Sequence, residues 1–429
     1  MTSFLAYIYK LRPTGEQEQL FRKFAGCARF IYNKALTERT AHYEKTGKGH
    51  SYRDQAKHLT QWRHDPKTTW LGEVPYQFQQ SQLAFLELAF QRFFKKITEF
   101  PKFKKRGQDD SFSYVPYDVH VDRFNPRIRI PKVGWVRFWE NRPVPKTATI
   151  TQVTVSSYCG DWYVSVSIKQ EVDEPKHPTP NKCIGIDVGI TRFATFSDGT
   201  FIEPLNAFRK QELRLAKAQR KVSRKQKGSN NRRKAQFKVA KIHRKIVRQR
   251  NDYLHKASTM ICKNHAIICI EDLRVSNMSR SASGTIEKPG KNVTAKSGLN
   301  KSILDQGWGY FRRMLEYKAL WNGCTLVAVP PNHTSQTCPI PSCQNVDPLN
   351  RTSQSEFKCT KCGYEDNADH VGALNVLTRG LDQVGLVLEK GRTDLVSLPS
   401  EGCSRTSATG THRSDLVSPS STVEMAYAN

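Results

Sequence analysis

Acidic residues are scarce in this chain: 39 Asp and Glu stand against 68 Lys and Arg in 429 residues, a formal charge of +29. Such a field attracts polyanions, and few enzymes of small neutral substrates would need it. Long apolar runs are missing too. No stretch approaches the roughly 20 residues that cross a bilayer, which puts nucleic acid ahead of a membrane as the partner of the basic chain. The opening residues, Met1-Thr2-Ser3-Phe4-Leu5-Ala6-Tyr7, enter alternating apolar positions without a charged leader or a small-residue cleavage site, so a cytoplasmic location is expected. Grouped cysteines are also few. Seven of eleven, Cys27, Cys262, Cys269 and Cys324 among them, occur singly among apolar neighbours, as reduced thiols do, and no disulfide framework is indicated.

The remaining four are grouped. Cys338 and Cys343 form a Cys-x4-Cys pair, and Cys359 and Cys362 a Cys-x2-Cys pair fifteen residues further on. That spacing brings four soft thiolates within reach of one tetrahedral zinc ion. Four unrelated buried cysteines are the bland alternative. Against it, Gln344 to Lys358 is polar, turn-rich and too poor in apolar residues to build a core, so a metal is expected to fold it.

The chain's length implies two or three domains. After a short strand over 3–11, Thr14-Gly15-Glu16-Gln17 has a capping-box pattern, and Leu20, Phe24, Cys27 and Ile31 recur at helical spacing. A second helical region follows Pro75 with Gln79, Leu83, Leu86, Phe90, Phe93 and Phe94. From Phe112 the period changes to two, through Arg127 to Ile130, Trp135 to Phe138 and Thr151 to Ile168, with Gly160-Asp161 as a hairpin signal. A helical insert over 14–110 therefore interrupts a β domain made from 1–13 and 111–180. Pro175, Pro178 and Pro180 mark a linker before a new unit.

That unit opens with the buried-strand run Cys183 to Ile190, which carries Asp187. A second apolar run, Ala266 to Ile270, ends in Glu271-Asp272-Leu273, and a third spans Thr325 to Val329. A carboxylate on a buried strand is expensive. An Asp that caps a turn is the bland reading, whereas strands ending in acids point to a metal site. Asp369, just before the helical-looking Gly372 to Leu377, supplies a third carboxylate. Three such groups on one sheet edge suit an RNase H-like phosphodiesterase, which holds two Mg²⁺ ions about 3.5–4 Å apart. Residues 209–250 contain 18 Lys or Arg and a single acid, Glu212. The break Lys227-Gly228-Ser229-Asn230 divides this stretch into two helices with a thin apolar stripe: Leu213, Ala216 and Val222, then Phe237, Ala240, Ile242 and Val247. A solvated face is the usual meaning of a charge run. Here the excess points to phosphate binding, with Arg224, Lys225, Arg232, Arg233, Lys234, Lys238, Arg244 and Lys245 as candidates.

Gly185-Ile186-Asp187-Val188-Gly189, Glu271-Asp272-Leu273, Trp308-Gly309-Tyr310-Phe311, Thr334-Ser335-Gln336-Thr337-Cys338, Ser355-Glu356-Phe357-Lys358-Cys359 and Ala368-Asp369 with Ala373-x-Asn375 resemble the TnpB family. These are insertion-sequence-encoded RNA-guided DNA nucleases related to type V CRISPR effectors. Upstream, Tyr9 to Thr14, Phe30 to Leu36, Pro101 to Lys104, Ile130 to Gly134 and Asp161 to Ser165 are similar as well, so the likeness spans roughly residues 3–378. The resemblance implies an α/β multidomain fold: a wedge-type β-barrel (1–13 and 111–180) with a helical recognition insert (14–110), then a RuvC-like nuclease domain (181–332 and 366–380) with an inserted zinc ribbon (333–365). It implies a guide RNA from the transposon end, double-stranded target DNA bearing a short flanking motif, catalysis by Asp187, Glu271 and Asp369 with Mg²⁺ or Mn²⁺, structural Zn²⁺ on the four cysteines, and a companion transposase encoded nearby. The chain departs from the family's pattern in two places. Four residues rather than two separate Cys338 from Cys343, and Val371-Gly372 stands where many members have Asn-Ala. All three acids are present.

Two alternatives stay open at this point. A transposase would use a similar acidic triad but no RNA, and a non-catalytic RNA-guided DNA binder would not need the acids. The tail, 381–429, is rich in Ser, Thr and Gly, repeats Arg-x-Asp-Leu-Val-Ser at 392–397 and 413–418, and is expected to be disordered.

Overall fold

The computed structural model describes residues 2–108, 110–114, 119–122, 124–388 and 395–396. They fall into two compact units, Met1–Asp173 and a second beginning at Glu174.

The first unit is an antiparallel sheet with helices. Its strands are β1 (Thr2–Arg12), β2 (Ser111–Tyr114), β3 (His120–Val121), β4 (Arg127–Ile130), β5 (Gly134–Trp139), β6 (Thr149–Tyr158) and β7 (Asp161–Glu171), in the order β2-β6-β7-β1-β5-β4-β3. Between β1 and β2 the chain forms α1 (Gly15–Thr46), α2 (Tyr52–His64) and α3 (Tyr76–Phe94). The capping box is present: Thr14 accepts from the Gln17 amide, and the Gln17 side chain accepts from the Thr14 amide. Gly47, at φ 65°, ends the helix in the left-handed conformation. The buried stripe of α1 includes Phe21, Phe24, Ala28, Ile31 and Ala35, whereas Leu20 is only half-buried. Helices and sheet share one core, in which Phe21 and Phe24 meet Phe112 and Phe78 meets Tyr114. Each such ring contributes about 1.5–3 kcal/mol on burial. The hairpin between β6 and β7 turns at Cys159-Gly160, both at positive φ, one residue earlier than the sequence signal.

The second unit holds a five-stranded sheet of β8 (Cys183–Asp187), β9 (Ala194–Phe196), β10 (Phe201–Ile202), β11 (Ile267–Glu271) and β12 (Thr325–Val329), in the order β10-β9-β8-β11-β12. Strands β8, β11 and β12 are parallel, and β9 and β10 are antiparallel additions. Two basic helices, α4 (Glu212–Ser223) and α5 (Asn230–Asn264), connect β10 to β11, and α6 (Val275–Met278), α7 (Val293–Gln306) and α8 (Trp308–Asn322) connect β11 to β12. Two short strands, β13 (Glu356–Lys358) and β14 (Glu365–Asn367), precede α9 (Ala368–Gln383). Past it, β15 (Val387–Leu388) pairs with β16 (Leu395–Val396).

Strand periodicity sorts the side chains of this sheet. Ile184, Ile186, Ile268 and Ile270 enter one core with Leu254 and Ile261 of α5 and Phe311 and Leu315 of α8. Cys183, Ile267 and Cys269 enter a second core with Val376, Leu377 and Leu381 of α9. The sheet is thus covered on both faces, which is why its central strands read as unbroken apolar runs. Helix α9 lies unusually close: a Cβ at Gly185 would come within 2.2 Å of the Ala373 carbonyl, and one at Gly380 within 2.3 Å of Cys269 Sγ. Because α9 runs to Gln383 and buries Leu381, the second unit continues past residue 380. Most of the expected disordered tail lies outside the described residues.

Candidate metal and nucleic-acid sites

The alternation that builds the two cores also positions the acids. Asp187 follows Cys183 and Gly185 on the face toward α9, and Glu271 follows Ile267 and Cys269 on that same face. Strands β8 and β11 pair Ile186 with Ile270, and continuing that register by one residue sets Asp187 beside Glu271. Both stand at the carboxyl ends of parallel strands, where open α/β sheets bind ligands. Asp369 sits in the first turn of α9, inside the helix rather than ahead of it. One turn on, the Cα of Gly372 packs on the Asp187 carboxylate, where a Cβ would lie 3.0 Å from Oδ2.

The three acids share one electrostatic environment. Burial, then the charges of Glu271 and Asp369, pushes the Asp187 carboxyl well above its ordinary range, with Arg351 and the Val188 amide opposing. Burial likewise raises Glu271, which is 9% exposed, against the opposing Thr334 hydroxyl and Arg379. Thr334 Oγ1 donates to Glu271 Oε1 at 2.6 Å, and Arg351 Nη2 lies 4.0 Å from Asp369 Oδ1. Carboxyls crowded and buried in this way suit a hard cation that would compensate their charge. The three carboxylates are not among the described groups whose ligand atoms all lie within 4.8 Å of one another.

The four cysteines do converge within that limit. Cys338 Sγ lies 3.6 Å from Cys362 Sγ, and Cys343 Sγ 3.7 Å from Cys359 Sγ. Zinc–sulfur bonds of about 2.3 Å put the corners of a tetrahedron about 3.8 Å apart, so the cluster fits that geometry with its Cys-x4-Cys loop. Asn350, fully buried, braces the fold: its amide donates to the Gln336 and Asn345 carbonyls, and its oxygen accepts from the Thr360 amide.

Ribbon and acids are joined. Val371, at the position of the family's usual Asn, is fully buried with Cys338, Phe357, Cys359 and Ala368. Asn375 Nδ2 donates to the Thr334 and Thr337 carbonyls at 2.8 and 2.7 Å. Asn367 caps α9 by accepting from the Asp369 and His370 amides. Thr334, Asn375, Arg351 and Arg379 are therefore site residues that the sequence reading did not single out. Thr334 and Asn375 lay within the quoted motifs, and nothing in the sequence flagged the two arginines.

The basic helices form as expected. Gly228, at φ 83°, turns the chain and Ser229 caps α5. The apolar stripe needs correction: Leu213 is 87% exposed and Leu215 is the buried residue of α4. Arg224, Lys225, Arg233, Lys234, Lys238 and Lys245 are exposed, and Arg244 is half-buried. Arg232 differs from them, because its guanidinium donates to the Val222 and Lys225 carbonyls at 2.9 and 3.0 Å and closes the end of α4. Among the described residues, no helix is long and apolar enough to cross a membrane.

Comparison with known proteins identifies the family. Family models described as "Probable transposase", "Cas12f1-like, TNB domain" and "Helix-turn-helix domain" match residues 165–282, 308–376 and 1–48. In this chain the last span is β1 followed by α1, with no turn breaking the helix. The protein described as "Putative RNA-guided DNA endonuclease InsQ" of Escherichia coli strain K12 is 48% identical over 380 residues, covering 89% of this chain and 93% of that protein. One of Streptomyces pristinaespiralis, described as "Putative RNA-guided DNA endonuclease", is 34% identical, covering 88% of this chain and 89% of its own length. The Cas12f1 chain solved in complex with guide RNA and target DNA superposes with a TM-score of 0.51 over 85% of this chain and 83% of that one, at 16% identity, a likeness of fold. Shared so extensively with the E. coli protein, the sequence places this chain in the TnpB family.

Proposed function

We propose that this protein is an RNA-guided endonuclease that hydrolyses DNA complementary to a bound guide RNA, with Asp187, Glu271 and Asp369 as its catalytic carboxylates. What supports the reading is that Asp187 and Glu271 end neighbouring parallel strands on the face toward α9, whose first turn carries Asp369 near enough for its charge to raise the Asp187 carboxyl, in a sheet of RNase H-like strand order. The second unit then corresponds to a RuvC-type domain and the first to a wedge-type β-barrel with its helical insert. Bound at the acids, Mg²⁺ or Mn²⁺ would supply an activated water and stabilise the leaving oxygen. The chain's own residues fix the ligands. Strand register aligns Asp187 with Glu271, Thr334 orients Glu271, and the Asn367 cap and the ribbon hold the turn that carries Asp369.

Zinc on Cys338, Cys343, Cys359 and Cys362 would complete the ribbon, and the exposed cations of α4 and α5 would hold phosphates of the guide RNA. The relatives' descriptions, a solved likeness bound to guide RNA and target DNA, and the +29 charge support these partners. The same reading includes a short flanking motif on the double-stranded target, action in a prokaryotic cytoplasm, and a companion transposase encoded nearby. A transposase reading needs no RNA. RNA copurified with the protein should therefore be sequenced: a discrete RNA ending in transposon-flanking sequence is expected, and protein that cuts DNA while free of RNA would reject the guided reading.

A further inference from the structure

Far along the chain from the carboxylates, in the first unit, lies a second group of metal-ligating side chains. Glu38 projects from α1, His58 from α2, and His50 from the loop between them; one ligand atom from each lies within 4.8 Å of the others. Glu38 Oε2 and His58 Nδ1 are 3.3 Å apart. Two ligands bound at about 2.0–2.1 Å to one tetrahedral ion stand about 3.4 Å apart, so this pair already has the separation of neighbouring ligands. His42, one helical turn after Glu38, adds a third imidazole, its ring centroid 4.7 Å from that of His50.

An ordinary ion pair between Glu38 and His58 accounts for only part of this. His50 Nε2 is buried and has no hydrogen-bond partner among the described residues. A buried ring nitrogen left without a partner costs about 1–3 kcal/mol, and metal coordination would relieve it.

We propose that Glu38, His50 and His58 form a transition-metal site of the zinc class, which clips α1 to α2 across residues 47–51. Two imidazoles and a carboxylate form a borderline donor set, suited to Zn²⁺ and its neighbours and poorly suited to Mg²⁺ or Ca²⁺. Water or His42 would fill the fourth position. The site is independent of the cysteine ribbon in ligands and in place, and holds whether or not the protein is a nuclease.

The test uses full-length protein carrying no polyhistidine tag, equilibrated with Zn²⁺, desalted and assayed for bound metal. The parent should retain two zinc ions per chain, and the C359S/C362S and H50A/H58A variants one each. Cobalt substitution separates the sites: C359S/C362S should lose the sulfur-to-metal charge transfer and keep the d–d bands of a nitrogen- and oxygen-ligated ion, and H50A/H58A should keep the charge transfer together with the d–d bands of a thiolate site. Glu38→Gln, a conservative change at a half-buried position, should weaken the second site about tenfold or more with unchanged circular dichroism. One zinc in the parent, or two in H50A/H58A, would overturn the proposal.

Discussion

At the residue scale, the acids occupy positions that cost stability. An acid whose folded pKa is raised binds its proton more tightly in the native state, so stability is greatest below the unfolded value of about 3.9 and falls as pH rises toward the folded value. Asp187 is in that situation because it is buried beside Glu271 and Asp369. Asp187→Asn should therefore raise Tm at neutral pH in metal-free buffer, and added Mg²⁺ should stabilise the parent more than the variant; scanning calorimetry with and without Mg²⁺ reads both. Thr334→Val removes the hydroxyl that orients Glu271 and should lower the cleavage rate by about one order of magnitude, corresponding to roughly 1–1.5 kcal/mol, with RNA affinity unchanged. Asp187 and Glu271 stand out in the sequence because a charge on an apolar strand is anomalous. Arg351 and Arg379 do not, since a single arginine carries no spacing signal and each acquires its place only from the folded path of the ribbon and α9.

At the element scale, the two helical departures from the family's pattern have a physical reading. Val371 fills the ribbon core, and Gly372 leaves room for Asp187; the Cβ of an alanine there would come within 3.0 Å of Oδ2. Gly372→Ala should shift that carboxylate and weaken Mg²⁺ binding, seen as a higher Mg²⁺ concentration for half-maximal cleavage. In the basic helices, Arg233, Lys234 and Lys238 are the exposed cations to reverse, because Arg232 holds the α4–α5 turn together. Their replacement by Glu should weaken guide-RNA binding and flatten its salt dependence. Equal affinities and slopes for variant and parent in filter-binding titrations would show a solvated face. The break between these helices was legible from Gly228-Ser229, whereas the buried residue of α4 was misplaced by two positions, since a stripe this thin does not fix a helix's rotation.

At the scale of the whole molecule, the cysteine cluster and the helix that carries Asp369 are coupled through a shared core. The cysteine cluster shares a core with Ala368 and Val371, on either side of Asp369. Cys359→Ser with Cys362→Ser should lose one zinc per chain and most cleavage together, with RNA retained on the protein. The order of apolar runs was enough to foresee a sheet ending in acids, because fully buried strands leave little ambiguity. The seven-stranded order of the first unit was not legible, since it joins β1 to strands more than a hundred residues away through pairings that no local pattern records.

The most direct measurement is cleavage of a guide-matched DNA duplex by parent, Asp187→Ala, Glu271→Ala and Asp369→Ala proteins, each loaded with the same RNA and supplied with Mg²⁺. The parent should cut, and each variant should bind RNA and target normally while its cleavage falls by several orders of magnitude. Wild-type cleavage by any one of the three variants would contradict that acid's place in the site, and cleavage by all three would remove the site altogether.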